Sequence, residues 1–160
     1  MKFEKVSFEQ YKSAFGGDVD LKEEYDDIKI PKRATEGSAG HDFFAPFSFS
    51  LAPSETIKIP TGIRAIIDND KFLAIYPRSG LGFKYRMQLD NCVGIIDWDF
   101  SESDSEGHIM IKITNDTHEN KTLYVKKGEA FAQGIIQQFF KTEDDNVDAV
   151  RIGGFGSTTV

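Results

Sequence analysis

The fold class follows from one stretch of the sequence, His108-Ile109-Met110-Ile111-Lys112-Ile113-Thr114, in which three isoleucines occupy every second position. Successive side chains of a β-strand point to opposite faces, so this period of two predicts a strand with one buried face. The residues between the isoleucines include a histidine and a lysine, which suit a less buried face. We therefore predict a half-buried β-strand here.

Similar short runs of β-branched and aromatic residues extend from this strand in both directions. They are residues 28–31, 41–45, 47–51, 55–59, 62–67, 72–76, 88–96, 122–125 and 132–140. Turn-forming pairs such as Pro53-Ser54 and Asn115-Asp116 separate them. Many short strands with one dependable helix predict an all-β fold, a sandwich or jelly roll, in a single domain without internal repeats.

The two ends of the chain differ from this β domain, which we assign to residues 28–150. Residues 1–27 contain a capping box, with Ser7 as N-cap and Gln10 three residues later, which predicts a short amphipathic helix ended by Gly16-Gly17. A mixed acidic connector, irregular or weakly helical, is expected to follow. Residues 151–160 form a glycine-rich arm.

Composition narrows the classes of function. The net charge of −7 argues against a broad affinity for nucleic acid or anionic membranes. The single cysteine, Cys92, cannot form an intramolecular disulfide and is expected to be a small core residue. The first residues lack the apolar stretch of a signal peptide, and no membrane-spanning run follows. We expect a soluble cytoplasmic protein.

Two stretches contain residues that could bind a phosphorylated small molecule. The first is Pro77-Arg78-Ser79-Gly80-Leu81-Gly82, predicted to be a tight turn, where a guanidinium, a hydroxyl and bare glycine amides can hold an anion. The second is Gly94-Ile95-Ile96-Asp97-Trp98-Asp99-Phe100, where Asp97 is a candidate general base. On an alternating strand, Asp99 would point to the same side as Asp97, and Trp98 to the other.

The tail, Arg151-Ile152-Gly153-Gly154-Phe155-Gly156-Ser157-Thr158-Thr159-Val160, cannot form a stable strand or helix by itself. It is either a flexible tail or an arm that orders on a ligand, with amides and hydroxyls around phosphate and Phe155 over a ring. It lacks the lysine and the following helix of a Walker loop, so it is not an ordinary P-loop.

Five short motifs occur in order along the chain, at residues 38–45, 77–82, 94–100, 128–133 and 153–158. Together they resemble the trimeric dUTPases, which hydrolyse dUTP to dUMP and pyrophosphate. The resemblance runs from about residue 28 to residue 158. It implies a homotrimer with active sites shared between subunits, no nucleic-acid or membrane partner, and Mg²⁺ as the cofactor.

The resemblance also implies roles for individual residues. Asp97 would deprotonate the water that attacks the α-phosphorus, and Asp42 would hold Mg²⁺ through its waters. The phosphates would be bound by Arg78, Ser79, Gly80, Gln133, Arg151, Gly156, Ser157 and Thr158. The base would lie between Asn91 and Met110, against Gly94 and the backbone of Ile95, Ile96 and Asp97. Phe100 would pack under the deoxyribose and Phe155 over a ring.

The sequence departs from the family pattern at several positions. Phe100 replaces a tyrosine, and Arg151 lies one residue closer to Gly153 than is usual, which puts its reach to the γ-phosphate in doubt. Arg86 replaces a frequent glycine and could add positive charge near the mouth of the site. The segment Ser101-Glu102-Ser103-Asp104-Ser105-Glu106 is an insertion. It is either a longer solvated turn or a lid or partner-binding surface.

Two rival functions stay open at this point. A dCTP deaminase would share the fold, but it needs a catalytic glutamate after the second motif and has a different tail. A nucleotide-sensing regulator would bind dUTP together with a protein partner through the inserted segment. His41, His108 and His118 have no metal-ligand spacing, so a histidine metal site is not predicted.

Overall fold

The computed structural model describes residues 1–17, 19–149, 151 and 153. Its strands are β1 (Lys2–Lys5), β2 (Lys32–Arg33), β3 (His41–Phe44), β4 (Phe49–Leu51), β5 (Thr56–Pro60), β6 (Ile63–Ile66), β7 (Lys71–Pro77), β8 (Met87–Leu89), β9 (Gly94–Ile96), β10 (Met110–Asn115), β11 (Leu123–Val125) and β12 (Ala130–Gln138). The helices are α1 (Phe8–Ser13), α2 (Lys22–Asp26), α3 (Ser79–Tyr85) and a 3₁₀ turn at Trp98–Glu102. The prediction of an all-β fold is confirmed.

The strands form small antiparallel sheets around one core. The largest sheet has the order β2-β3-β12-β7-β9, and a second has the order β5-β10-β8. Two pairs, β1-β6 and β11-β4, complete the arrangement. Strand β7 therefore lies between β12 on one side and β9 on the other, and it connects the main parts of the site described below.

The period of two along residues 108–114 is confirmed at the isoleucines. Ile109, Ile111 and Ile113 are all buried, whereas Lys112 in β10 is exposed and Met110 is half-buried. Each buried isoleucine side chain contributes about 2 kcal/mol through removal of apolar surface from water. His108 departs from the pattern because it precedes β10 and is buried, where its Nε2 accepts a hydrogen bond from the Gly62 amide at 2.9 Å.

The N-terminal segment contains a helix where the sequence predicts one. The Ser7 hydroxyl accepts a hydrogen bond from the Gln10 amide at 3.1 Å, as a capping residue does. Both Gly16 and Gly17 have positive φ and follow the helix. Strand β1, in contrast, was not predicted, because its lysines and glutamate give no apolar alternation and its pairing with β6 is a long-range contact.

Two predicted strands are wrong in detail. Residues 28–31 are not a strand, and β2 includes only Lys32–Arg33. Residues 88–96 form two strands, because the chain turns at residues 90–93 and Cys92 has a φ of 63°. Strand β8 then pairs with β10 and β9 pairs with β7. Cys92 is exposed in that turn, so the prediction of a core cysteine is wrong.

Membrane insertion through a helix finds no support among the described residues. None of the helices at residues 8–13, 22–26 and 79–85 is long and apolar enough to cross a bilayer.

Candidate functional site

Strand pairing in the largest sheet brings together Asp42, predicted to hold Mg²⁺, and two residues predicted to bind phosphate. Asp42 of β3 lies opposite Gln133 of β12, which lies opposite Tyr76 of β7. Arg78 follows the end of β7, and its guanidinium is 3.4 Å from the Asp42 carboxylate. The Gln133 side-chain amide donates to the Pro77 carbonyl at 3.1 Å. We call Asp42, Arg78, Ser79 and Gln133 the phosphate cluster.

The glycine-rich stretch after Pro77 is the helix α3, so the prediction of a tight turn is wrong. Arg78 is the N-cap of α3, and the amides of Leu81 and Gly82 donate to its carbonyl at 3.1 and 2.9 Å. Ser79 and Gly80 lie exposed in the first turn of α3, directly after Arg78 in the chain. A cation, a hydroxyl and the amides of a helix start therefore face solvent together, which suits an anion.

A cavity of about 350 Å³ lies on the other side of β7. It is lined by Lys58, Ile75, Leu89, Asp90, Asn91, Gly94, Ile96, Met110, Ile111 and Lys112. Four of these residues, Asn91, Gly94, Ile96 and Met110, were predicted to line a pocket for the base. Ile95 does not line the cavity; its side chain lies on the opposite face of β9 and is 50 % exposed.

The shape of this cavity depends on a glycine. A Cβ on Gly94 would lie 3.2 Å from the Cβ of Ile75, which is tighter than most contacts of that kind. The sequence did not indicate the walls supplied by Lys58 and Ile75, because they come from β5 and β7. A single sequence does not tell which strands pair. The cavity is thus formed between two sheets.

Asp97 and the residues after it form a 3₁₀ turn and not a continued strand. Arg151 bridges two carboxylates of this segment: its Nη2 lies 2.5 Å from Asp97 Oδ2, and its Nε lies 2.7 Å from Asp99 Oδ1. Its guanidinium carbon is 5.8 Å from the centre of the Phe100 ring. Asp97 and Asp99 therefore lie on one side, as predicted, although the strand geometry behind that prediction is wrong.

The sequence predicts that Arg151 contacts phosphate, and this stays a prediction. Within the single chain, Arg151 is ion-paired to Asp97 and Asp99. Phe100 is buried beneath it and does not line the cavity. The predicted ligand residues Phe155, Gly156, Ser157 and Thr158 lie outside the described residues.

Asp97 and the phosphate cluster are at opposite ends of β7. In the antiparallel pairing of β7 with β9, Leu73 lies opposite Ile96, which places Asp97 level with Phe72. Arg78, the residue after β7, is six residues further along the chain than Phe72, about 20 Å away at ~3.3 Å per residue. One chain therefore does not bring its own Asp97 and Arg78 to the same phosphate group.

Comparison with known proteins identifies the family. The family model described as dUTPase matches residues 26–159. This chain belongs to the dUTPase family. A relative from Lactococcus lactis subsp. lactis (strain IL1403), named deoxyuridine 5′-triphosphate nucleotidohydrolase, is 41 % identical over 134 residues, covering 82 % of this chain and 88 % of that protein. A relative of the same name from Hahella chejuensis is 43 % identical over 141 residues, covering 82 % of this chain and 88 % of that protein.

Solved structures agree with this assignment. The crystal structure of the dUTPase from Streptococcus mutans has a TM-score of 0.68 at 26 % identity, and covers 89 % of this chain and 99 % of that one. The dUTPase of phage phi11 of S. aureus, described with a species-specific insert, has a TM-score of 0.61 at 21 % identity, covering 77 % and 91 % of the two chains. The second likeness supports the fold alone.

The inserted segment of this dUTPase-family chain is attached to its own N-terminus. The Glu106 carboxylate accepts hydrogen bonds from both the amide and the hydroxyl of Ser7, the amide at 2.8 Å. These bonds hold the pKa of Glu106 below its ordinary value. Arg64 donates to the Ser101 carbonyl at 3.1 Å, and Ser103 is buried. The segment is thus a turn in which Ser103 is buried while Glu102 and Asp104 stay exposed.

Arg86, which could have added charge near the site, is paired elsewhere. It has a left-handed backbone at the C-terminus of α3, and its Nη2 lies 3.1 Å from the Asp116 carboxylate. The family often has glycine at this position. Because glycine adopts a positive φ without strain, that preference indicates a left-handed backbone here. The charge of Arg86 is thus largely compensated by Asp116.

The phosphate cluster fits a magnesium ion that is held mainly by substrate and water. Asp42 is the one carboxylate in the cluster, and the described part of the chain contains no group of three acidic, histidine or cysteine side chains that could hold a metal. Mg²⁺ keeps several of its waters and is often bound by one or two carboxylates together with substrate phosphates. A single carboxylate, Asp42, beside the Arg78 guanidinium matches that pattern.

Proposed function

We propose that this protein hydrolyses dUTP to dUMP and pyrophosphate, at active sites that are each shared between subunits of a homotrimer. The observation that carries the proposal is the position of Asp97. Asp97 directly follows Ile96, which lines a cavity of about 350 Å³, a volume at the small end of ligand pockets. A pyrimidine in that cavity would place its sugar and innermost phosphate beside Asp97.

Different residues of the chain would recognise the base and bind the phosphates. The walls of the cavity, among them Asn91 and Met110, would hold uracil. Uracil presents an N3–H donor between two carbonyl acceptors, and cytosine reverses part of that edge. Buried polar groups fitted to uracil would be left unpaired by cytosine, which can discriminate by about 10⁴-fold or more. The narrow cavity at Gly94 would exclude a base with an additional substituent.

Asp97 would act as the general base on the attacking water. General-base assistance is typically worth about 10²–10⁴-fold, so most of the acceleration must come from holding the phosphates in line and compensating their charge. The Arg78 guanidinium, the Ser79 hydroxyl, the Gly80 amide and the Gln133 side chain would do this. Mg²⁺, held through its waters by Asp42, would supply further positive charge on the phosphate oxygens.

Sharing between subunits is supported by the distance between the two halves of the site. Asp97 and Arg78 of one chain are about 20 Å apart along β7, so a second chain would supply the missing half. Large apolar side chains also remain exposed in the single chain near both halves, since Phe83 of α3 is 95 % exposed and Ile95 is 50 % exposed. A subunit interface would bury such residues. The number three comes from the family resemblance.

The test is a substrate panel with the purified full chain. Release of pyrophosphate is measured from dUTP, dTTP, dCTP and UTP, with Mg²⁺ and with a chelator, and release of ammonia is measured from dCTP. We expect rapid turnover of dUTP alone, and much slower turnover without Mg²⁺. Similar rates for all four nucleotides would contradict the pocket argument, and ammonia from dCTP would support a deaminase instead.

A further inference from the structure

The contact between Arg151 and two carboxylates has a clear asymmetry. The Arg151 side chain is only 13 % exposed, and it contacts Asp99 through Nε and Asp97 through a terminal nitrogen. The Asp99 side chain is 26 % exposed, whereas that of Asp97 is 49 % exposed. The bond to Asp99 is thus the more enclosed one, and the bond to Asp97 is the more exposed to solvent.

A guanidinium has five N–H groups in a fixed plane, so a carboxylate that holds Nε also fixes the directions of the terminal nitrogens. With Asp99 on Nε and the Phe100 ring beneath the guanidinium, Nη2 of Arg151 is directed at Asp97. When Asp97 turns to a water or a sugar hydroxyl, Nη2 becomes available to an anion at the same place. A lysine could not do both, because its ammonium is a point charge.

We propose that Asp99 is a positioning residue that orients Arg151 toward the place where Asp97 meets the innermost phosphate of the substrate. This role rests on the proposed function. Asp99 does not itself touch the substrate; it acts through Arg151. The two residues therefore form one unit, and the loss of either should remove the same contribution.

A double-mutant cycle in the full chain tests this unit. The variants are Asp99→Asn, Arg151→Gln and the two combined, with Asp104→Asn as the control, because Asp104 is an exposed acidic residue of the neighbouring inserted segment. We expect each single variant to lower kcat/KM for dUTP about tenfold, mostly by raising KM. The kcat/KM of the double variant should be no lower than that of the less active single variant. The control should match the wild type.

Asp99→Glu adds a check that a purely structural role would not pass. Glutamate keeps the negative charge and an acceptor for Nε, so Asp99→Glu should raise KM less than Asp99→Asn does. In the Arg151→Gln background, the two substitutions at Asp99 should give the same KM. Wild-type kcat/KM in Asp99→Asn would overturn the proposal, as would a double variant whose defect equals the product of the single defects. A KM defect in Asp99→Glu as large as in Asp99→Asn would also overturn it.

A readout that does not need catalysis separates this inference from the proposed function. Trp98, the only tryptophan of the chain, lies between Asp97 and Asp99. In the protein without nucleotide, we expect Asp99→Asn, Arg151→Gln and the double variant to shift the Trp98 fluorescence by the same amount, and Asp104→Asn to leave it unchanged. Unequal shifts would overturn the coupling, whether or not the wild type hydrolyses dUTP.

Discussion

At the scale of single residues, Gly40 leaves the space that Gln133 occupies. A Cβ on Gly40 would lie 2.5 Å from Oε1 of Gln133 and 3.3 Å from its Cβ, so the Gln133 side chain would have to move. That side chain holds the Pro77 carbonyl directly before Arg78. We expect Gly40→Ala to lower kcat/KM for dUTP about tenfold, since misplaced binding groups cost rate.

The matched control is Gly37→Ala, where a Cβ would meet nothing within 4 Å. It should behave as the wild type. Thermal melting of both variants should stay close to that of the wild type, because the atom in the way at Gly40 is the end of a flexible side chain. Equal kcat/KM for Gly40→Ala and Gly37→Ala would contradict a role of Gln133 in the phosphate cluster.

His108 makes the stability of the fold depend on pH. Its burial lowers the pKa of its imidazole from 6.5 to about 4, because the charged form loses its hydration. Between these values the unfolded chain binds a proton that the folded chain does not, so stability falls as the pH drops from about 6.5 to about 4. The free energy of unfolding should fall by roughly 3 kcal/mol from this residue over that window.

Urea unfolding at pH 7, 5.5 and 4.5 measures this effect. His108→Gln can still accept a hydrogen bond from the Gly62 amide but does not titrate, so its stability should depend less on pH than that of the wild type. His118→Gln, at an exposed histidine, should keep the full dependence. The same pH dependence in His108→Gln as in the wild type would show that other groups cause it.

Some site residues could be predicted from the sequence because their chemistry is carried by local motifs. Asp42, Arg78 and Gln133 converge as expected, and four predicted residues line the cavity. The position of Arg151 could not be predicted in the same way. Its partners Asp97 and Asp99 lie more than 50 positions away in the sequence, and nothing local to Arg151 distinguishes a carboxylate partner from a phosphate.

At the scale of elements, periodicity predicts those segments whose environment is simple. The strand at residues 110–115 has one buried face, and the helix after Ser7 has a local cap, so both could be recognised. Strand β1 and the division of residues 88–96 depend on pairing partners far away in the sequence. Such pairing is decided by tertiary packing, which overrides local preference.

The link between α1 and the inserted segment is an element-scale property that can be measured. The Ser7 hydroxyl caps α1 and also donates to Glu106, so Ser7→Ala loses two hydrogen bonds. We expect it to lower the free energy of unfolding by about 1–2 kcal/mol. Ser50→Ala, at an exposed position of β4, should change it by no more than about 0.5 kcal/mol.

This link also changes how a deletion of the insertion would be interpreted. Removing residues 101–106 would remove Glu106 and the Ser101 carbonyl that Arg64 contacts, so it would release α1 as well as any partner surface. Equal unfolding free energies for Ser7→Ala and Ser50→Ala would show that the attachment contributes little. The inserted segment would then be better regarded as a surface for another protein.

At the scale of the whole molecule, a complete site needs residues of more than one chain. The cavity with Asp97 and the phosphate cluster with Arg78 lie at opposite ends of β7. Each half is well formed by contacts within the chain, and neither half is a complete site for a nucleoside triphosphate. The exposed Phe83 and Ile95 indicate where association could bury apolar surface.

The most direct measurement is complementation between two inactive variants. Asp97→Asn and Arg78→Ala chains are produced separately and together in equal amounts, and pyrophosphate release from dUTP is measured per site. Each variant alone should lose about 10²–10⁴-fold in turnover. In mixed closed oligomers, about a quarter of the shared sites would combine an intact Asp97 with an intact Arg78, so about a quarter of wild-type activity should return. Mixed oligomers that stay as inactive as the separate variants would contradict a site shared between subunits.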